Sequence, residues 1–237
     1  MAFKHGKAAS VLLGATDLST YLTSADLAAD LDTADTTTFH ATWKSAIAGT
    51  AGGKLELAGL YDPGVADLAT VFGGDPGSVL TYCPAGAVAL GDMARLLSVS
   101  EIAYAESSPV GGVVAVKAST MADGEIGFGN VIHLLAEETS TVDGTTVDLT
   151  AQSTTGAIAH VHATAVTATD TFDITIEDSS TGSSGWATVG TFASITAASA
   201  ERIVIAGTIK QYVRVVTTVT DVSGTPAITF LVAFART

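Results

Sequence analysis

His160 and His162 stand two residues apart in AIAHVHATAV, Ala157 to Val166, a stretch that alternates like a strand. Side chains at i and i+2 share one face of a strand, so the two imidazoles have the spacing of a pair of metal ligands. A zinc centre needs a third ligand and an outer shell that orients the first. The sequence places neither, and the plainer reading is a pair of surface or interface histidines. Serine and threonine are so frequent that a Ser-His-Asp set can be drawn by chance, yet no Gly-x-Ser-x-Gly elbow singles out a nucleophile. The short glycine clusters, such as Gly127-Phe128-Gly129, lack the spacing of a phosphate loop. Glu137 and Glu138 read as a solvated charge pair. The one cysteine, Cys83, excludes an intrachain disulfide, and with no base suggested beside it reads as a small buried hydrophobe. Trp186 and Tyr212 offer a sugar-stacking platform, although two isolated aromatics are more often packed. These residues predict no enzyme, no metal and no cofactor.

The elements that would position such residues are β-rich. Among 237 residues, 47% are hydrophobic, 6% aromatic and 14% charged. Thr, Ala, Ser, Val and Gly dominate, the profile of strands joined by many turns. The length allows one large β domain or two small ones. A net charge of -14 disfavours tight binding to nucleic acid through its phosphates. No apolar run is long enough to cross a bilayer, and the opening MAFKHGKAAS lacks the apolar core of a signal peptide. A soluble, cytosolically made chain follows as the expectation. Its mean hydropathy of +0.44 is high for a free monomer and predicts surface buried between subunits.

Along the chain, a basic arm precedes two short strands joined by a turn at Gly14-Ala15-Thr16-Asp17. Residues 38–53 read as a long Gly/Ala-rich loop before the alternating strand Lys54–Asp62. Val65, Leu68, Val71 and Phe72 then recur at helical spacing, with Asp62 as N-cap, Pro63 just inside and Gly73-Gly74 as the stop, which predicts one short helix. A strand over SVLTYC follows. Three more lie between Arg95 and Leu135, with turns at Gly111-Gly112 and Asp123-Gly124. Composition shifts near Ala136, so the expected domains are 1–135 and 136–237. The second reads as an Ig-like β-sandwich, in which Phe172, Ile174 and Ile176 share a face, as do Ile228, Phe230, Val232 and Phe234.

Four stretches together resemble the major tail tube proteins of long-tailed bacteriophages. They are KHGKAASVLLGATDLSTYL; the segment TTTFHATWKSAIAGTAGGKLELAGLYD, with its Gly53, Leu57, Gly59 and Asp62 pattern; the helix VADLATVFG; and SSPVGGVVAVKASTMADGEIGFG. The resemblance covers residues 1–135. It implies a mainly β fold: an antiparallel sandwich or barrel-forming tail tube fold with one short helix, to which the C-terminal sandwich is added, on the tube exterior. It implies hexameric rings stacked into a tube around a channel that passes double-stranded DNA without holding it. It also implies tape measure, tail terminator and tip proteins as partners, no membrane binding, and a place in the virion tail after assembly in the host cytoplasm.

In such tubes a long loop reaches from ring to ring. The resemblance assigns that role here to Thr38–Gly53, with Thr38, Phe39, Trp43, Lys44, Ile47 and Gly53 as contacts. An acidic, hydroxyl-rich channel wall would repel phosphates, and Glu56 and Glu101 are the candidate carboxylates facing it. Two other readings compete: a capsid decoration protein, and a host- or glycan-binding module built on Trp186 and Tyr212.

Overall fold

The computed structural model describes residues 6–40, 42–62, 77–167, 170–220 and 224–237. The helix expected over 65–72 lies outside the described residues. Sixteen strands run in chain order: β1 Ser10–Leu13, β2 Thr16–Asp17, β3 Leu22–Asp35, β4 Ala46–Leu60, β5 Ser78–Cys83, β6 Met93–Ser107, β7 Ala115–Ala122, β8 Gly127–Glu138, β9 Val142–Asp143, β10 Val147–Asp148, β11 Ala157–Val166, β12 Thr171–Ser179, β13 Ala187–Thr191, β14 Ser199–Ile205, β15 Tyr212–Thr220 and β16 Ile228–Arg236. Their pairings are antiparallel, and no closed barrel forms among the described residues. The mainly β class expected from composition is the one the fold has.

The chain forms two compact units, one of residues 1–20, 78–98 and 126–237, the other of residues 21–77 and 99–125. The boundary expected near Ala136 falls inside β8, where Ala136 pairs with Phe230 and Glu138 with Ile228 of β16. The polar turn-rich stretch after it is real, but it joins strands of one unit.

In the first unit, one sheet has the order β14-β11-β16-β8-β6-β5-β1-β2, with β6 entering by its first residues. A second sheet has the order β10-β15-β12-β13, with β9 on β15. The two sheets enclose a core of Phe172, Ile174 and Ile176 from β12, Val213 and Val215 from β15, and Ile228, Phe230, Val232 and Phe234 from β16. This is the sandwich the alternation predicts. The reverse face of β16 is also covered. Leu231, Ala233 and Ala235 pack with Leu12, Cys83, Leu96 and Val131. Burial on both faces explains why FLVAFA, residues 230–235, is apolar without interruption. It also explains Gly129 on neighbouring β8, where an added Cβ would stand 2.0 Å from the Phe234 carbonyl oxygen.

The second unit is a four-stranded sheet, β3-β4-β7 and the later residues of β6. Turns at Gly111 and Gly124, with φ of 89° and 102°, fall where the sequence puts them.

Candidate assembly surface

The segment 38–53 is a loop only in its first part. Ala46–Gly53 belongs to β4 and pairs in register with β3, Asp35 opposite Ala46 and Ala29 opposite Gly53, with one bulge. Small residues hid this strand, because glycine and alanine have weak strand preference. They suit the pairing nonetheless. A Cβ at Gly52 would meet the Asp30 carboxylate at 3.0 Å, and one at Gly49 would meet the Asp32 Cβ at 3.2 Å. Asp30 and Asp32 of β3 therefore lie over glycines of β4.

Side-chain hydroxyls close the tip. Thr36 and Ser45 share a hydroxyl bond of 2.6 Å, the Ser45 amide donates to Thr37 Oγ1 at 3.0 Å, and the Thr36 amide donates to the Ser45 carbonyl at 2.8 Å. The Thr37 amide also donates to Asp35 Oδ1 at 2.8 Å, and Thr37 holds that carboxyl below its ordinary value. Thr38, Phe39 and Lys44 sit exposed on the loop, together with Trp43, while Ile47 sits on β4 and Gly53 is buried where the ribbon joins the sheet.

Beyond this join the described residues of the ribbon are exposed. Ala28–Asp35 and Ala46–Gly52 are exposed on both faces. Phe39 is 96% exposed, Trp43 85%, Ile47 60% and Leu31 51%. An isolated two-stranded ribbon is marginal in water, and this one carries four large exposed apolar side chains.

The candidate channel carboxylates occupy opposite faces of the second unit. Glu56 pairs with Ser119 and Glu101 with Thr120. Adjacent residues of β7 point to opposite sides, so Glu56 and Glu101 cannot line one surface. Glu56 stands on the open face with Lys54 beside it and accepts from the Ser119 hydroxyl; Lys54 first, then Ser119, holds its carboxyl low. Asp26 is opposite Glu56 on that face. Glu101 shares the face of Thr120, which is fully buried, and burial pushes its carboxyl up. Its Oε1 has no hydrogen-bond partner among the described residues.

The aromatic platform is already engaged. The Arg214 guanidinium lies 4.5 Å from the Trp186 ring centre and pairs with Glu177 at 2.7 Å and Asp143 at 2.9 Å. Tyr212 lies so close to Gly182 that a Cβ there would stand 2.9 Å from its ring. Trp186 thus packs on a guanidinium of β15, and Tyr212 packs beside the turn at Gly182.

His160 and His162 are not at the surface. Both are fully buried, because β11 is covered on both faces. No group of three or more His, Cys, Asp or Glu able to hold a metal occurs among the described residues. Periodicity put the two rings on one face correctly but could not tell which strands are covered twice.

No family model and no curated protein sequence matches the chain. Among solved structures, the chain is similar to a subunit of the tail of an empty gene transfer agent particle, at 14% identity and a TM-score of 0.42, covering 53% of this chain and 98% of that one. It is similar to a chain of the PVC sheath–tube complex of an extracellular contractile injection system, at 14% and 0.44, covering 54% and 93%. It is also similar to the Dit protein of SPP1, described as a hub adsorption apparatus protein, at 12% and 0.37, covering 96% and 98%. These neighbours are tail, sheath–tube and hub proteins. At such scores the likeness assigns no role to this chain.

Proposed function

We propose that this chain is a structural subunit of a phage-type tail tube, assembling with copies of itself into stacked rings, six copies to a ring, around a channel that conducts DNA. The observation that carries the reading is the β3–β4 ribbon. It extends from the sheet, exposes both faces and bears Phe39, Trp43 and Ile47 at its end. Such a ribbon gains stability only when another surface covers it. The resemblance of residues 1–135 to tail tube proteins names that surface as a neighbouring copy in the next ring.

One further feature, in the sheet of the second unit, supports it. The open face of the same sheet carries Asp26 and Glu56 with Lys54, Lys117 and small residues. A wall of that kind offers a phosphate backbone little to hold. On this reading Glu56 faces the channel and Glu101 does not. Tape measure, terminator and tip proteins would be the partners at the ends of the tube.

The test is to replace residues 30–52 by Asn-Gly, a two-residue hairpin turn that leaves the Ala29–Gly53 pair. Negative-stain electron microscopy of the full chain at high concentration should show stacked rings with a central channel. The shortened protein should keep its circular dichroism spectrum and form no tubes. Tubes of ordinary length from the shortened protein would remove the ribbon from assembly, and isolated particles alone from the full chain at every concentration would remove the tube reading.

A further inference from the structure

The buried histidines form a hydrogen-bond chain that ties three parts of the first unit together. His162 Nδ1 lies 2.7 Å from the Gly14 carbonyl oxygen, in the turn between β1 and β2. His162 Nε2 lies 2.8 Å from Thr81 Oγ1 on β5. The same hydroxyl lies 3.1 Å from His160 Nδ1, and His160 Nε2 lies 3.0 Å from Nη1 of Arg202 on β14.

The direction of every bond follows from its ends. A carbonyl can only accept, so His162 Nδ1 carries a proton and, in the neutral ring, Nε2 accepts. The Thr81 hydroxyl must then donate to it, which leaves its oxygen to accept from His160 Nδ1. At the other end a guanidinium can only donate, so His160 Nε2 accepts and Nδ1 carries the proton. Both ends demand the same tautomers. The chain is complete with both rings neutral, every donor facing an acceptor. A proton on His162 Nε2 would deprive the Thr81 hydroxyl of its acceptor. A proton on His160 Nε2 would set two donors and two positive charges face to face.

We propose that His160, Thr81 and His162 form an acid-released latch that holds the β1–β2 hairpin and β5 against β11 while both rings are neutral.

The groups around the rings offer backbone carbonyls, of Leu80 to His160 and of Gly14 to His162, but no bonded carboxylate to offset the cost of burying a second proton. From β16, the residues opposite His160 and His162 are Ala233 and Leu231; from β14, they are Arg202 and Ala200. β5 contributes Thr81 and the Leu80 backbone, with the Cys83 thiol two residues on. The hairpin contributes the Gly14 carbonyl, and its carboxylate, Asp17, is occupied by the Ser19 amide at 2.9 Å and the Ser19 hydroxyl. No carboxylate is bonded to either ring among the described residues. Accordingly, burial first, and for His160 also His162 and Arg202, hold both imidazoles down, His162 to about 4. The open state regains ordinary histidines near 6.5, so it binds more protons than the closed one below that pH. Closure is complete above about pH 6.5 and weakens as pH falls, up to tenfold per pH unit for each ring.

Amide hydrogen exchange of the full chain reads this directly. The Gly14 and Leu18 amides donate to Val79 and Val11 and report on the hairpin; the Phe172 amide in β12, which donates to the Ile195 carbonyl, is the internal reference. After correction for intrinsic rates, protection at Gly14 and Leu18 should fall at least tenfold between pH 7 and pH 5, above the ordinary carboxylate range, while Phe172 holds. His162→Asn combined with His160→Gln should abolish the slope. Unchanged protection in the native chain, or an equal fall in the double variant, would overturn the latch. If the double variant does not fold, imidazole NMR of the native chain decides: two rings neutral down to pH 5 support it, and titration of both near pH 6.5 overturns it. None of these readouts depends on assembly.

Discussion

Cys83 shows how burial alone sets the chemistry of a side chain. Its thiol is fully enclosed on β5 among Leu12, Leu96 and Leu231, and burial first, then the charge of Asp92, pushes it up to about 12. The thiolate is the reactive form, and at pH 8 it would be about one part in ten thousand. A chromogenic disulfide reagent should therefore leave the folded chain unlabelled over hours at pH 8 and label one thiol per chain at once in denaturant. Labelling of the native protein within minutes would show that β5 opens on its own. Asp178 is buried too, and Lys210 meets it twice, by Nζ at 2.6 Å and by its amide at 2.9 Å. A carboxylate so placed is matched, and needs no catalytic or ligand role to explain it. Residue types alone cannot make these distinctions. His160 and Cys83 look like chemistry in the sequence, and only the strands that cover them turn them into structure.

At the level of elements, legibility followed side-chain pattern. β12 and β16 were readable because Phe172, Ile174, Ile176 and Phe230, Val232, Phe234 alternate with polar or smaller neighbours, and the glycines at 111 and 124 mark turns that require a positive φ. The outer half of β4 was not, because Ala46–Gly53 has no apolar face to repeat; its pairing with β3 is what makes it a strand. The division of the chain was not legible either, since pairing between β8 and β16 joins residues about a hundred positions apart. This leads to a prediction about pieces of the chain. A fragment ending at Leu135 lacks β11 and β16, and so exposes Leu12, Leu96 and Val131, which pack on Ile158, Leu231, Ala233 and Ala235 in the whole protein. It should aggregate or remain unfolded, as judged by size-exclusion chromatography and far-ultraviolet circular dichroism. A monodisperse, β-rich fragment 1–135 would instead establish the N-terminal part as a domain in its own right, with the remainder an independent addition.

Charge decides how whole molecules meet. Each chain carries a net charge of -14. Much of its positive charge is already engaged internally: Lys54 with Glu56, Lys210 with Asp178, Arg214 with Glu177 and Asp143, and Arg236 with the carbonyls of Leu149 and Ala151. The ribbon adds to the excess, for β3 bears Asp26, Asp30, Asp32 and Asp35 without a basic residue, while Ala46–Gly53 has no charge at all. Copies that associate through the ribbon must therefore bring like charges together, and the drive has to come from Phe39, Trp43, Ile47 and Leu31. Salt shortens the reach of that repulsion, from about 14 Å near 0.05 M to about 4 Å near 0.5 M, and leaves apolar burial intact. Raising sodium chloride over that range should lower the concentration at which assemblies appear in light scattering several-fold. Trp43→Ala should raise it at every salt concentration, without changing the fold. Assemblies that dissolve as salt rises would mean that ion pairs, not the apolar tip, hold neighbouring copies together.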